Sequence, residues 1–185
     1  MSSELITKCE SRNSGKLWAI RKTSSFSIWA SLPIEVVSIH DVGVRETATI
    51  QGKCAVTVED YTSGRIWDDA VCYSFYPVDL HRSSGGGLQC EPLVEGVVPT
   101  IPRGALLPAD SSNFLVAGRC IASDRLANSA LRVQATCMAT GQAAGAIAAL
   151  SASTGVDPEE LPIADVHQLL REHSAIVPVA RSLQT

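Results

Sequence analysis

Tyr76, Pro77, Val78, Asp79, Leu80 and His81 form one short run. In an extended chain, Val78 and Leu80 fall on one side and Asp79 and His81 on the other. Two residues apart on a strand, the backbones of Asp79 and His81 lie about 7 Å from each other. Histidine exchanges protons near neutral pH, and a neighbouring carboxylate orients its ring and raises its pKa. The pair reads either as an acid–base site with Asp79 orienting His81, or as the wetted polar face of a strand.

A second concentration of chemistry lies in residues 113–150. Phe114, Leu115, Val116 and Ala117 make a short apolar run that stops at Gly118, the pattern of a strand buried on both faces. A polar turn over 123–128 follows, in a stretch that carries Arg119, Arg125 and Arg132. Residues 133–150 hold no charge, and most of their side chains are no larger than threonine. A helix is predicted there, opening near Val133 and Gln134. Its first turn presents unpaired N–H groups and a partial positive charge, suited to a phosphate or a carbonyl edge. Gly141 and Gly145 share a helical face with Cys137 and Ala148. Glycine weakens a helix, so the pair predicts close approach by a backbone or a flat ligand. The alternative is an ordinary helix packed on a sheet.

The remaining elements must position these groups. A helix is predicted over 16–30 and a strand over 49–56. Thr57 with Asp60 reads as the capped start of a short helix ending near Gly64. Asp68 and Asp69 precede a short helix or turn at 70–72, and as neighbours they cap and solvate rather than work as a catalytic pair. Gly85, Gly86 and Gly87 lack the Gly-Lys-Ser ending of a phosphate loop, so a hairpin turn or mobile loop is predicted. Short strands are predicted at 88–90, 97–101 and 103–107. Gly155 ends the long helix, and an amphipathic helix follows over 164–173 with His167 and His173 on its surface. Residues 179–185 read as a tail.

Composition excludes several classes. The 185 residues are 45% hydrophobic and 18% charged, which suits a folded core rather than disorder. A net charge of −4 and few aromatic residues argue against nucleic-acid binding. The six cysteines and four histidines are scattered, with no Cys-x-x-Cys pair, so no metal site is expected. Free thiols in a reducing cytoplasm follow, since a chain of this size needs no disulfide. The start carries no basic, apolar leader. The uncharged stretch 133–156 is too poor in Leu, Ile and Phe to enter a membrane.

The two clusters and their flanks also carry a resemblance. NFLVAGRCIAS followed by ALRVQATCMATGQAAGAIAAL resembles the last FAD-contacting segment of the FAD-dependent oxidoreductase family, distantly related to the succinate dehydrogenase and fumarate reductase flavoproteins. GVRETATIQGKCAVTVEDYTSGRIWDDAV, YPVDLH, IPRGALLPADSSNFLVAGRC and GVDPEELPIADVHQLLREHSAIV extend it across residues 42–177 in family order. It implies an α/β fold (an α+β fragment), the C-terminal portion of a two-part FAD-binding flavoprotein. Residues 1–41 form a poorly matching flank, 42–112 a β-rich substrate side, 113–150 the FAD-domain strand, loop and helix, and 151–178 the closing helix.

The resemblance implies cofactor contacts from Gly118, Arg119, Cys120, Arg132, Val133 and Gln134. It implies catalytic roles for His81, Asp79 and Arg45, Arg45 being equally readable as one half of a structural ion pair. Arg103 matches a basic residue on a loop over the flavin. The implied activity is hydride transfer from a small organic substrate to FAD. The chain contains no Gly-x-Gly-x-x-Gly turn, the element that approaches the pyrophosphate. Only part of the FAD site is therefore expected here, completed by a polypeptide that supplies the N-terminal unit. The alternatives are a non-catalytic interaction module and a truncated gene product.

Overall fold

The computed structural model describes residues 8–10, 17–19, 48–81 and 88–179. The chain divides into two units, Met1–Val44 and Arg45–Thr185. In the first, β1 (Lys8–Glu10) pairs antiparallel with β2 (Leu17–Ala19), Cys9 facing Trp18. Residues 17–19 are therefore strand where the sequence predicts the start of a helix. Backbone pairing with β1 gives these residues cross-strand partners, which local helical spacing does not reveal. The rest of that predicted helix lies outside the described residues, as does Arg45.

The second unit opens with irregular extended chain. Where a strand over 49–56 is predicted, only single bridges form, Gly52 to Pro108 and Val56 to Ser123. Val56 N–H donates to Ala122 O at 3.1 Å, Ala122 N–H to Ala105 O at 2.9 Å and Asp124 N–H to Val56 O at 3.0 Å. Three distant segments thus converge on Val56 and Ala122, both buried. Gly52 is needed at this crossing, because a Cβ there would stand 2.5 Å from the Ala122 Cβ.

Helix α1 (Val58–Thr62) begins as predicted. Thr57 Oγ1 accepts from Asp60 N–H at 3.1 Å, and the Asp60 carboxylate accepts from Thr57 N–H at 3.3 Å. Buried Tyr61 then organises the chain leading to the acid–base candidates. Its hydroxyl donates to Tyr76 O at 2.8 Å and accepts from Tyr76 N–H at 3.0 Å. Ser74 Oγ lies 3.4 Å from the same hydroxyl and 2.9 Å from Thr136 Oγ1.

Residues 70–72 belong to β3 (Ala70–Tyr73), not to the predicted helix or turn. Ala70, Val71 and Cys72 are all buried, so the segment crosses the core, where pairing with β6 (Thr100–Pro102) satisfies its backbone. The predicted strand at 103–107 is instead a 3₁₀ turn, Arg103–Leu106. Asp69 draws it in: its carbonyl accepts from Arg103 N–H at 3.0 Å and its carboxylate from Gly104 N–H at 3.1 Å. Strand β4 (Val78–His81) pairs antiparallel with β5 (Leu88–Glu91), from Val78 opposite Glu91 to His81 opposite Leu88. The triple-glycine turn between them lies outside the described residues.

Residues 114–117 do not form the predicted strand. Asn113 is left-handed at φ 54, Phe114 is 57% exposed, and Val116 N–H makes a bond to Leu106 O at 2.8 Å. Leu106 lies in the 3₁₀ turn, so no ladder continues from that contact. The predicted turn over 123–128 contains the start of α2 (Arg125–Leu131). The Asp124 carboxylate caps Ala127 N–H at 2.7 Å and also accepts from Val58 N–H at 2.6 Å, so one side chain serves α1 and α2.

Helix α3 (Gln134–Thr154) ends at left-handed Gly155, as predicted. It buries Thr136, Thr140, Ala143 and Ile147. Helix α4 (Ile163–Glu172) packs on it through Val166 and Leu170. His167 is not a free surface residue: its Nε2 lies 2.7 Å from Ala70 O, fastening α4 to β3. His173 is exposed, as predicted. The core runs through Val56, Tyr61, Ile101, Leu106, Ile121, Leu131 and Ile147. Among the described residues no helix is long and apolar enough to cross a membrane.

Candidate functional site

Two of the sequence's clusters meet at the junction of α2, β4 and α3. Ser129, buried on α2, accepts the Asp79 N–H through its Oγ at 3.1 Å and donates to Leu126 O at 2.7 Å. One turn later Arg132 Nη2 donates to Asp79 O at 3.3 Å. Both backbone groups of Asp79 are therefore held from the same helix. The Asp79 Oδ1 atom is buried without a hydrogen-bond partner among the described residues. His81 closes β4 two residues on, but its side chain lies outside the described part.

Helix α3 starts beside Arg132. Val133 is its N-cap, with no side-chain capping bond, and Gln134 and Ala135 are exposed. The first-turn N–H groups therefore have no partner from the cap residue. A groove of about 370 Å³, lined in part by Phe75, Ala135, Thr136, Ala139 and Leu170, borders this turn.

Gly118, Arg119 and Cys120 sit farther along α3 as a 3₁₀ turn. Gly118 is left-handed at φ 79, and its N–H donates to Thr140 Oγ1 at 3.1 Å. Arg119 O accepts from Asn128 Nδ2 at 3.1 Å and Cys120 O from Ile50 N–H at 2.9 Å. The Arg119 residue is exposed. All six predicted cofactor residues thus line the first two turns of α3 or flank them. Sequence reading missed Ser129, Asn128 and Thr140; their signal was small polar residues at positions that a helix would bury.

Two expectations change. Arg103 does not reach over this site: its guanidinium donates to Leu161 O at 2.6 Å and Pro158 O at 3.4 Å, holding the turn before α4. Gly141 and Gly145 are exposed, and a Cβ on either meets nothing within 4 Å. The buried stripe of α3 lies on its other side, so no described part of this chain presses on the glycine face. Residues that could hold a metal do not cluster among those described.

The match to known proteins follows from here. The family model described as FAD dependent oxidoreductase matches residues 31–170. The chain belongs to that family. Comparison with curated proteins and with solved structures finds no match. Membership makes the protein flavin-linked and redox-active in type, with a mixed α/β fold. The residues at the start of α3 suit that cofactor. A flavin's pyrimidine edge alternates carbonyl oxygens with an N–H, and here open helix N–H donors and the Arg132 cation lie near a carboxylate oxygen that lacks a donor.

Proposed function

We propose that this chain supplies the flavin-facing part of a FAD-dependent oxidoreductase whose complete form moves a hydride from a small organic substrate to the cofactor. The observation that carries the reading is the uncapped start of α3, flanked by Arg132 and by the unpartnered oxygen of Asp79. FAD, when bound, supplies the hydride acceptor. The N–H groups of α3 and the Arg132 charge favour negative charge at the edge they face. Gly118, Arg119 and Cys120 line the ribityl and phosphate side. In this reading the proton transfer falls to His81, with Asp79 as its orienter, and Arg45 stays a residue that the family resemblance puts on the flavin side. The remainder of the pyrophosphate grip comes from a polypeptide carrying a glycine-rich βαβ unit.

Mixing the chain with such a polypeptide and FAD should give a complex that keeps bound-flavin absorbance through gel filtration. Colourless protein at every ratio sinks the proposal. In the complete enzyme, His81→Ala should slow flavin reduction by substrate while flavin stays bound. An unchanged rate removes His81 from the chemistry.

One observation favours a second reading, a module that binds a partner without catalysis: the glycine face of α3 is open and Met138 is 67% exposed. Light scattering separates the two, since a stable monomer on its own argues against an unmet interface.

A further inference from the structure

We propose that Cys120 and Cys137 form a redox modification site, a thiol pair that closes reversibly into a disulfide between the 118–120 turn and α3. The two sulfurs address the same peptide unit from different elements. Cys120 Sγ lies 3.5 Å from Ala117 O. Cys137 Sγ lies 3.8 Å from the point where a side chain on Gly118 would begin. Gly118 has no side chain, so Cys137 Sγ approaches the turn there without meeting one. Thr140 fixes the turn against this part of α3, accepting Gly118 N–H at 3.1 Å while its hydroxyl lies 3.1 Å from Cys137 O. Both cysteines are half-buried free thiols.

Burial holds the Cys137 thiol above its ordinary range, so the pair closes faster as pH rises. Burial pushes the Cys137 thiol up, the Arg119 cation pulls it down and a charged Cys120 pushes it up again, so the two thiols lie within electrostatic reach of each other. The competing cysteines are placed differently. Cys72 is buried, its thiol pushed up to about 12 by burial, and Cys90 is exposed on β5.

The oxidant is a low-molecular-weight disulfide such as glutathione disulfide. A thiolate of the pair attacks it, releasing one glutathione and leaving a mixed disulfide. The second thiolate attacks the protein sulfur and releases the other glutathione. The two thiols lose two protons and two electrons, and one glutathione disulfide becomes two glutathiones. The site operates without flavin, so its test is independent of the preceding proposal.

The intact chain is equilibrated with glutathione and glutathione disulfide, quenched with an alkylating agent, and digested with trypsin without reduction. Trypsin separates the two cysteines, into residues 120–125 and residues 133–171. These two peptides should appear joined as the dominant protein disulfide, with Cys72 neither alkylated nor linked. Dithiothreitol should separate them, and Cys120→Ser and Cys137→Ser should each abolish the linkage. Glutathione adducts alone, or disulfides scrambled among Cys54, Cys72 and Cys90, overturn the proposal.

Discussion

Arg132 reaches the backbone carbonyl of Asp79 at 3.3 Å, so the residue that ends α2 grips the strand that carries the acid–base candidates. Ser129 takes the N–H of the same residue at 3.1 Å. Ser129→Ala should leave that half-buried N–H without its partner and cost about 1–3 kcal/mol. Urea unfolding of the isolated chain measures this. A variant as stable as the parent means that the clamp is incidental.

The Asp124 carboxylate joins two helices and should therefore be worth more than a single cap. A capping side chain contributes about 0.5–2 kcal/mol, and Asp124 accepts from both Ala127 N–H and Val58 N–H. Asp124→Ala should destabilise the chain by about 1–4 kcal/mol. Thr57→Ala, which removes one cap of α1 alone, should cost less. The reverse ranking in thermal melts contradicts a shared cap.

Because the glycine face of α3 meets nothing within 4 Å, Gly141→Ala and Gly145→Ala should raise stability, each by up to about 1 kcal/mol, from helix propensity. Differential scanning calorimetry of the chain alone reads this as a rise in Tm. A fall in both shows that the face is already covered.

Asp60 should make stability depend on acid. Burial opposes its charge, but hydrogen bonds from Arg65 and Thr57 and the Arg65 cation outweigh burial and hold the carboxyl below its ordinary 3.8. A folded pKa below the unfolded one gives stability that is complete above the unfolded value and lost as pH falls through the folded value. On acidification below about pH 4 the parent should lose stability more steeply than Asp60→Asn. Parallel curves from urea midpoints across that range dispose of the idea.

Local signals were readable and distant ones were not. Thr57 and Asp60 announced α1 because a capping box is complete within four residues. Gly155 marked the end of α3, where a left-handed cap needs a residue without a Cβ, and the spacing of Val166 and Leu170 placed α4. The errors share one cause. Helix α2 looked like a turn because its stability comes from Asp124 and from buried Ala127, Ala130 and Leu131, which depend on tertiary neighbours. The run at 114–117 looked buried, yet no described strand arrives to cover Phe114. Gly141 and Gly145 looked like close contacts, whereas the tight crossing is at Gly52. At the site, the resemblance singled out Gly118 and Arg132, which the fold sets beside α3. Only the fold showed that Ser129 and Thr140 hold the surrounding chain.

The crossing of Val56, Ala122 and Ala105 has a kinetic consequence. The bonds that join Val56 to Ala122 and Ala122 to Ala105 link segments 66 and 17 residues apart in sequence. Loop closure must come before any reward, so formation of this crossing should set the pace of refolding while α3 and α4 coil early. A chain interrupted there should refold slowly even though its helices recover at once.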